Sequence, residues 1–336
     1  MRILVMGGTQ FVGRHFVQAA LDAGHDVTLF HRGRSGPGLF PKATHLLGDR
    51  DGDLSVLADG TWDATVDVCA YVPRQVRALA AALGSAAHPD GHRDGRGGHY
   101  TQISSISAYA DPPGPGVTED SPLAELDDPD VEEVTPETYG GLKALCERAA
   151  VDVFGPGTAI VRPCYVIGPF DTTGRYTWWV RRLARGGEVL VAGPRDQPLQ
   201  TVDGRDLAAL TLRVVESGAS GAVNAASQVP GYCLEDLLTE TASAVAPVGT
   251  SLTWVDPEFA REGGLTGAQL PLWHGGERAW VGAVDVTRAA SLGLSPRPVA
   301  ATALDIVGAD PATGVPTRIG LDPDRETELL AAWRGR

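Results

Sequence analysis

Short apolar runs and longer amphipathic stretches alternate along the first part of the chain. The apolar runs are MRILVMG (1–7), DVTLFH (26–31), THLLGD (44–49), DATVDVCAY (63–71) and HYTQISSISAY (99–109). Between several of them, stretches such as HFVQAALDAG and PRQVRALAAAL carry apolar residues at helical spacing. This alternation predicts βαβ units and a parallel sheet. Two later runs, TAIVRPCYVIG and SGAVNAAS, indicate that the sheet continues late in the chain.

Residues 170–200 and about 228–300 follow this rhythm less well. They are rich in Gly and Pro and contain Trp178, Trp179, Trp254, Trp273 and Trp280. We therefore predict an α/β fold: a Rossmann-type, doubly wound parallel sheet with a smaller C-terminal substrate lobe. The expected dinucleotide-binding domain spans 1–169, with 200–227 returning to it. The expected lobe comprises 170–199 and 228–336.

Composition excludes some classes of function. The chain has 336 residues, 43% of them apolar, and a net charge of −14. Sequence-independent binding to the phosphate backbone of nucleic acids needs a basic surface, and this chain is acidic. We therefore expect no nucleic-acid partner. No apolar run approaches the roughly 18 residues that span a bilayer, so we expect no membrane partner.

The cysteines and histidines do not indicate a metal centre. Four cysteines are scattered without CxxC spacing, which argues against zinc and a disulfide framework and favours a reduced, cytoplasmic setting. The loop HPDGHRDGRGGH (88–99) contains three histidines, but a glycine-rich loop would hold metal ligands poorly. We predict no metal.

The stretch GGTQFVGR (7–14) follows the first strand and opens a helix-like segment. A glycine-rich turn between a strand and a helix presents backbone N–H groups to a pyrophosphate. Gly7 would allow the tight turn and Gly13 close packing of the helix. Gln10 stands where such loops usually have a glycine. The expected contacts of this loop are Gly7, Thr9, Gln10, Phe11, Val12 and Gly13.

The end of the second strand indicates which nicotinamide cofactor is bound. An acidic residue there would bind the ribose 2′-hydroxyl of NAD, but this chain has His31, followed by Arg32 and Arg34. Guanidinium groups stabilise a 2′-phosphate, so NADP is favoured over NAD, although these arginines could be ordinary surface charges. Asp49, after the third strand, could accept a hydrogen bond from the adenine amino group.

A candidate catalytic pair lies in TYGGLKALCERAA, which predicts a helix from about residue 138. Tyr139 and Lys143 are four residues apart and therefore share one helix face. A neighbouring ammonium favours the tyrosinate, and such a tyrosine can exchange a proton with an alcohol or ketone oxygen. Upstream, SSISAY offers serine hydroxyls as further donors.

Together these motifs resemble the short-chain dehydrogenase/reductase superfamily, specifically its extended or atypical branch, which is NAD-dependent epimerase/dehydratase-like. The resemblance covers GGTQFVGR, DVCAY, ISSISAY, TYGGLK, VRPCYVIGP and DGRDLA in family order. It implies that Ser105 is the catalytic serine, that Tyr139 and Lys143 are its partners, and that Gln10 marks a variant loop. The remaining expected cofactor contacts are Cys69, Ala70, Tyr71, Lys143 and Pro163.

The resemblance implies that Ser105 holds the substrate oxygen, Tyr139 protonates it and Lys143 binds the nicotinamide ribose. Sugar-nucleotide relatives show RxxN after the sixth strand, but here Arg162 is followed by Pro163, Cys164 and Tyr165. They also place an arginine seven residues before the aspartate of the D-L-A segment, where this chain has Leu199. We therefore expect a less charged, cyclic or aromatic carbonyl substrate.

The expected substrate contacts are Tyr165, Arg175, Tyr176, Trp178 and Trp179, the aromatic members having core packing as the alternative. The leading hypothesis is an NADPH-dependent reductase, or reversible dehydrogenase, of a small non-nucleotide carbonyl compound. One alternative is a sugar epimerase or dehydratase with tightly bound NAD; another is a non-catalytic regulatory or RNA-associated binder. The chain could be a monomer or a homodimer.

Overall fold

The computed structural model describes residues 1–36, 38–84, 96–111, 116–227, 229–309 and 319–336. The strands are β1 Arg2–Met6, β2 Asp26–His31, β3 Thr44–Leu47, β4 Ala64–Asp67, β5 His99–Ile103, β6 Ala159–Pro163, β7 Tyr165–Ile167, β8 Glu188–Ala192, β9 Thr201–Asp203, β10 Gly221–Ala225 and β11 Ser251–Val255. The helices are α1 Phe11–Asp22, α2 Pro73–Ala82, α3 Tyr139–Phe154, α4 Arg175–Arg185, α5 Gly204–Ser217, α6 Leu234–Val245, α7 Pro257–Glu262, α8 Thr287–Ser291, α9 Val299–Gly308 and α10 Pro323–Arg334. Most of the histidine-containing loop 88–99 lies outside the described residues.

Seven parallel strands form the central sheet in the order β10-β6-β5-β4-β1-β2-β3. This confirms the predicted Rossmann-type sheet. The chain runs outward from β1 to β3 and then returns to pair β4 with the other side of β1. The order therefore reverses between β1 and β4, and a crevice opens beyond their carboxyl ends.

Helices cover both faces of the sheet. In β1, Ile3 and Val5 belong to the cluster under α1 and α5, whereas Leu4 and Met6 belong to the cluster under α2 and α3. Because successive side chains of a strand point to opposite faces, a strand covered on both sides buries both sets and tends to be apolar along its length. This explains the continuous apolar runs in the sequence. No helix in the described part of the chain is long and apolar enough to cross a membrane.

The later part of the chain builds a second hydrophobic cluster from α4, α6, α7, α9, α10 and the two-stranded sheet of β8 and β11. We call this region the lobe. Tyr176 and Trp179 of α4 are fully buried in it. The short strands β7 and β9 pair with each other next to the central sheet. The assignment of residues to two domains stays a prediction.

A buried ion pair fixes the C-terminal helix to the lobe. Arg182 of α4 donates to Glu326 of α10 at 2.7 Å, and their side chains are 8% and 5% exposed. The same guanidinium donates to the carbonyls of Gly186 and Glu188, while Glu326 also accepts from the backbone N–H of Leu190. Every group of this pair thus has a partner, which is the condition for tolerating buried charges.

Replacing Glu326 by Gln should destabilise the fold, because Arg182 would keep its charge in a buried site without a counter-ion. We expect a loss of about 3 kcal/mol in the free energy of unfolding, measured by urea denaturation. Glu328→Gln is the matched control on the same helix, since its partner Arg325 is exposed. That control should cost about 1 kcal/mol or less. Equal losses in the two variants would contradict the prediction.

Candidate active site

A cleft of about 1050 Å³ lies at the crevice beyond β1 and β4. Its walls come from the glycine loop, the ends of β2, β3 and β4, the segment after β5, the start of α3 and the lobe. Most residues predicted from the sequence line it together. They are Gly7, Thr9, Gln10, Phe11, Val12, Gly13, His31, Arg32, Arg34, Asp49, Cys69, Tyr71, Ser105, Tyr139, Lys143, Pro163, Tyr165 and Arg175.

The glycine loop has the close backbone packing that a pyrophosphate cradle requires. A Cβ at Gly13 would lie 2.8 Å from the Cα of Gly8 and 2.9 Å from its nitrogen. Gly8 itself has φ +89°, a conformation that favours glycine. Sequence reasoning assigned roles to Gly7 and Gly13 but missed Gly8, which the first turn of α1 contacts directly. The cradle fits a dinucleotide phosphate approaching the start of that helix.

Gln10 contacts the opposite side of the cleft mouth. It precedes α1, and its Nε2 donates to the Oγ of Ser35 at 2.7 Å. The side chain therefore links the glycine loop to the segment that follows β2. The glutamine is part of the structure of the site, which agrees with a variant loop rather than a damaged one.

Both ring nitrogens of His31, at the end of β2, form hydrogen-bond contacts within the protein. His31 Nδ1 accepts from the N–H of Gly33 at 3.1 Å, and its Nε2 lies 2.8 Å from Nδ1 of His45. The far nitrogen of His45 is 3.2 Å from the carbonyl of Phe40. All three contacts are satisfied together when both rings are neutral. Burial, and secondarily His45, lower the pKa of His31.

Arg32 and Arg34, unlike His31, have side chains that are available to a ligand in the cleft. Both are exposed and line the cleft, and neither makes an ion pair with any described residue. Arg50, which sequence reasoning passed over, also lines the cleft but is paired with Asp67, a fully buried carboxylate, at 2.7 Å. Burial alone would raise the pKa of Asp67, yet the Arg50 guanidinium outweighs it and lowers that pKa. Arg32 and Arg34 are therefore the cations available at this end.

The ammonium of Lys143 is fixed between two strand ends. Its Nζ donates to the carbonyl of Ala70, beyond β4, at 3.0 Å and to that of Ile103, in β5, at 2.9 Å. The ring of Tyr71 lies 5.4 Å from the same nitrogen. Ala70 was predicted to touch the cofactor, but its side chain is buried outside the cleft lining and its carbonyl binds the lysine instead.

The start of α3 lies directly on the turn that carries the candidate catalytic serine. A Cβ at Gly140 would come within 2.3 Å of the carbonyl oxygen of Ser107. Only glycine therefore permits this approach of the helix to the turn. Ser105 Oγ accepts from the N–H of Ser107 at 3.1 Å, which leaves its own O–H free to donate. Ser105, Tyr139 and Lys143 thus face one cleft.

A buried network supports the same helix further along. Glu147, one turn beyond Lys143, accepts from Ser104 Oγ and pairs with Arg162 at 2.6 Å. Arg162 also donates to the phenol oxygen of Tyr109, which in turn donates to Asn224. The family-like arginine, which lies in β6, is consequently a structural residue in this chain, and its partner Glu147 could not be predicted from the sequence.

The substrate end of the cleft differs in part from the sequence expectation. Tyr165 and Arg175 line it, but Tyr176, Trp178 and Trp179 lie in the core of the lobe. The Tyr176 hydroxyl contacts Thr241 at 2.7 Å, and the Trp179 N–H donates to the carbonyl of Pro271. These aromatic side chains cannot reach a ligand in the cleft, because the helix presents that face to the lobe.

Residues from a later segment of the chain form the wall of the cleft where the aromatic residues of α4 were expected. Arg278, Trp280 and Val281 line the cleft, and the Trp280 N–H donates to Asp111. Cys164, at the same end, is buried at the cleft wall, and burial raises the pKa of its thiol, which disfavours the thiolate form that a nucleophile needs.

Comparison with known proteins agrees with this arrangement. The model of the NAD dependent epimerase/dehydratase family matches residues 3–226. The chloroplast stem-loop binding protein of 41 kDa b from Arabidopsis thaliana is 28% identical over 231 residues, which are 64% of this chain. The match spans 55% of the length of that curated relative.

Solved structures share the fold at lower sequence identity. UDP-glucuronic acid 4-epimerase from Bacillus cereus in complex with NAD is 17% identical, covers 92% of this chain and 99% of its own, and has a TM-score of 0.63. The human epimerase family protein SDR39U1 with NADPH is 20% identical, covers 92% and 100%, and has a TM-score of 0.61. The first of these structures contains NAD and the second NADPH.

The paired histidines make the fold sensitive to mild acid. A histidine in an unfolded chain titrates near ~6.5, whereas burial lowers the pKa of His31 in the folded chain. As the pH falls below ~6.5, the unfolded chain binds this proton first, so stability declines. His31→Gln should therefore lose less stability than the parent chain between about pH 7.5 and about pH 5.5 in urea denaturation. His15 and His274, present in both proteins, cancel in the comparison; parallel pH curves would refute the prediction.

Proposed function

Because this chain belongs to the NAD dependent epimerase/dehydratase family, we propose that it is an NADPH-dependent reductase, or reversible dehydrogenase, of a small non-nucleotide carbonyl compound. The observation that supports this most directly is that Ser105, Tyr139 and Lys143 face the same cleft as the glycine loop. A hydroxyl donor, a phenol and a fixed ammonium are the groups needed to move a proton onto a carbonyl oxygen.

In the proposed reaction, the Ser105 hydroxyl donates a hydrogen bond to the substrate oxygen. Tyr139 then transfers its phenolic proton to that oxygen as the carbonyl is reduced. The bound nicotinamide supplies the hydride. Lys143 uses two of its N–H donors on backbone carbonyls, and the third has no partner among the described residues. That donor can bind a ribose hydroxyl while the positive charge stabilises the phenolate of Tyr139.

The choice of NADP rests on the segment after β2. No carboxylate follows β2 directly, and Arg32 and Arg34 are exposed at the cleft without ion-pair partners in the described ranges. A 2′-phosphate would receive charge-assisted hydrogen bonds from them. The Ser35 hydroxyl, already placed there by Gln10, adds a polar group to the same segment.

The two alternatives make different demands on the molecule. A sugar epimerase or dehydratase would retain NAD through purification and would not consume added NADPH. An RNA-associated role, suggested by the similarity to a chloroplast stem-loop binding protein, needs a basic surface, whereas this chain has a net charge of −14. An enzyme acting in a closed cleft requires no such surface.

Tyr139→Phe should lower kcat by a factor on the order of 10² or more, because the variant lacks the proton that the phenol donates. Cofactor affinity, measured by fluorescence titration of NADPH, should stay close to that of the parent chain. Tyr232→Phe makes the same chemical change outside the cleft and serves as the control. Near-normal turnover of Tyr139→Phe across a panel of carbonyl compounds would refute the mechanism.

Replacing Arg32 and Arg34 together by Gln should reduce the ratio of NADP to NAD affinity by roughly tenfold or more, since charge-assisted hydrogen bonds to the 2′-phosphate are lost. The control is Arg77→Gln with Arg185→Gln, which removes two exposed charges from α2 and α4 outside the cleft. Calorimetric titration of each protein with both cofactors measures the ratio. A parent chain that prefers NAD would overturn the assignment.

A further inference from the structure

The charges lining the cleft are opposite in sign to those of the molecule. The chain carries 42 acidic and 28 basic residues. The cleft instead is lined by Arg32, Arg34, Arg50, Lys143, Arg175 and Arg278, while its carboxylates within the described residues are Asp49 and Asp51. Both carboxylates follow β3, near the adenine side. A cationic cleft in an acidic protein concentrates and orients anionic ligands.

The two arginines at the substrate end have no ion-pair partner within the described ranges of the chain. Arg175 and Arg278 are exposed, and neither forms an ion pair with any residue that the structure describes. Arg50, by contrast, is paired with Asp67. The buried Arg162 and Arg182 are each paired with a glutamate. Arg175 and Arg278 therefore keep their charge available to a ligand.

Aromatic rings hold these guanidinium groups. The Arg175 guanidinium carbon lies 5.4 Å from the ring centroid of Tyr165, and that of Arg278 lies 5.6 Å from the ring centroid of Trp280. Both distances lie within the roughly 6 Å range of a cation–π interaction, which helps to position a guanidinium without using its N–H donors. Both arginines line the same end of the cleft as Tyr165. Burial raises the pKa of Tyr165, and the positive charges of both arginines oppose that rise.

We propose that Arg175 and Arg278 form an oxyanion subsite, so that the substrate is a carbonyl compound or alcohol carrying a carboxylate or phosphate group. The inference rests on the proposed function. It replaces the less charged substrate that was expected from the sequence with an anionic one. Neither arginine occupies the position seven residues before the D-L-A aspartate, which is Leu199 here. The oxyanion would sit between α4 and the late loop, with the reacting carbon toward Ser105 and Tyr139.

The first test measures anion binding without turnover. The protein, saturated with its nicotinamide cofactor so that Arg32 and Arg34 are covered, is titrated calorimetrically with malonate and with inorganic pyrophosphate. Arg175→Gln with Arg278→Gln should weaken binding of at least one probe by roughly tenfold or more. The control, Arg185→Gln, removes an exposed charge from the other end of α4 and should leave binding unchanged. Unchanged binding in the double variant, or an equal loss in the control, overturns the subsite.

The second test uses matched pairs of substrates: a 2-oxo acid and its amide, a keto phosphate and its unphosphorylated ketone. NADPH oxidation should favour one anionic member over its neutral partner by roughly tenfold or more in kcat/KM, and the double variant should shrink that preference. Preference for the acid identifies a carboxylate, and preference for the ester identifies a phosphate. Equal turnover of both members overturns the subsite but keeps the reductase. Arginine-dependent probe binding without any NADPH turnover keeps the subsite and overturns the reductase.

Discussion

The site depends on how one buried ammonium is satisfied. Lys143 is 3% exposed, and its Nζ is held by two backbone carbonyls, one beyond β4 and one in β5. A buried positive charge without acceptors would be strongly unfavourable, so α3 can lie only where it reaches both oxygens. The carbonyl of Ile103 belongs to β5, and that of Ala70 lies in the connection just beyond β4. The position of α3 is thereby set by the sheet together with this connection.

The same helix presents a polar face at intervals of one turn. Tyr139, Lys143 and Glu147 are spaced by four residues, so they project toward the same side of α3. Tyr139 reaches the cleft, Lys143 the strand ends, and Glu147 the buried Arg162. One face of α3 thus carries a side chain that lines the cleft, a side chain that anchors the helix to the strand ends and a side chain that pairs with a buried charge.

The sequence predicted the sheet well because both of its faces are covered. Strand β1 is apolar at every position from Ile3 to Met6, and such a run is visible without a structure. The glycine loop and the Tyr139–Lys143 spacing were likewise local patterns. The aromatic run in α4 was ambiguous, since Trp178 and Trp179 have the composition of either a pocket or a core, and only packing decides between them. Arg50 was not predicted, because its partner Asp67 belongs to another strand end. Arg278 was not predicted, because no local pattern marks its position at the cleft.

The hydrogen bond from Trp280 to Asp111 joins residues 169 positions apart in the sequence. During synthesis, the chain can complete β1 to β6 and the glycine loop long before Trp280 leaves the ribosome. Domains fold as their residues emerge, so a nascent chain can already bear the cradle, the serine and the tyrosine. It still lacks the wall that faces them. The cleft therefore becomes complete only after Trp280 has emerged, and a product truncated before it would expose these groups to water without enclosing a ligand.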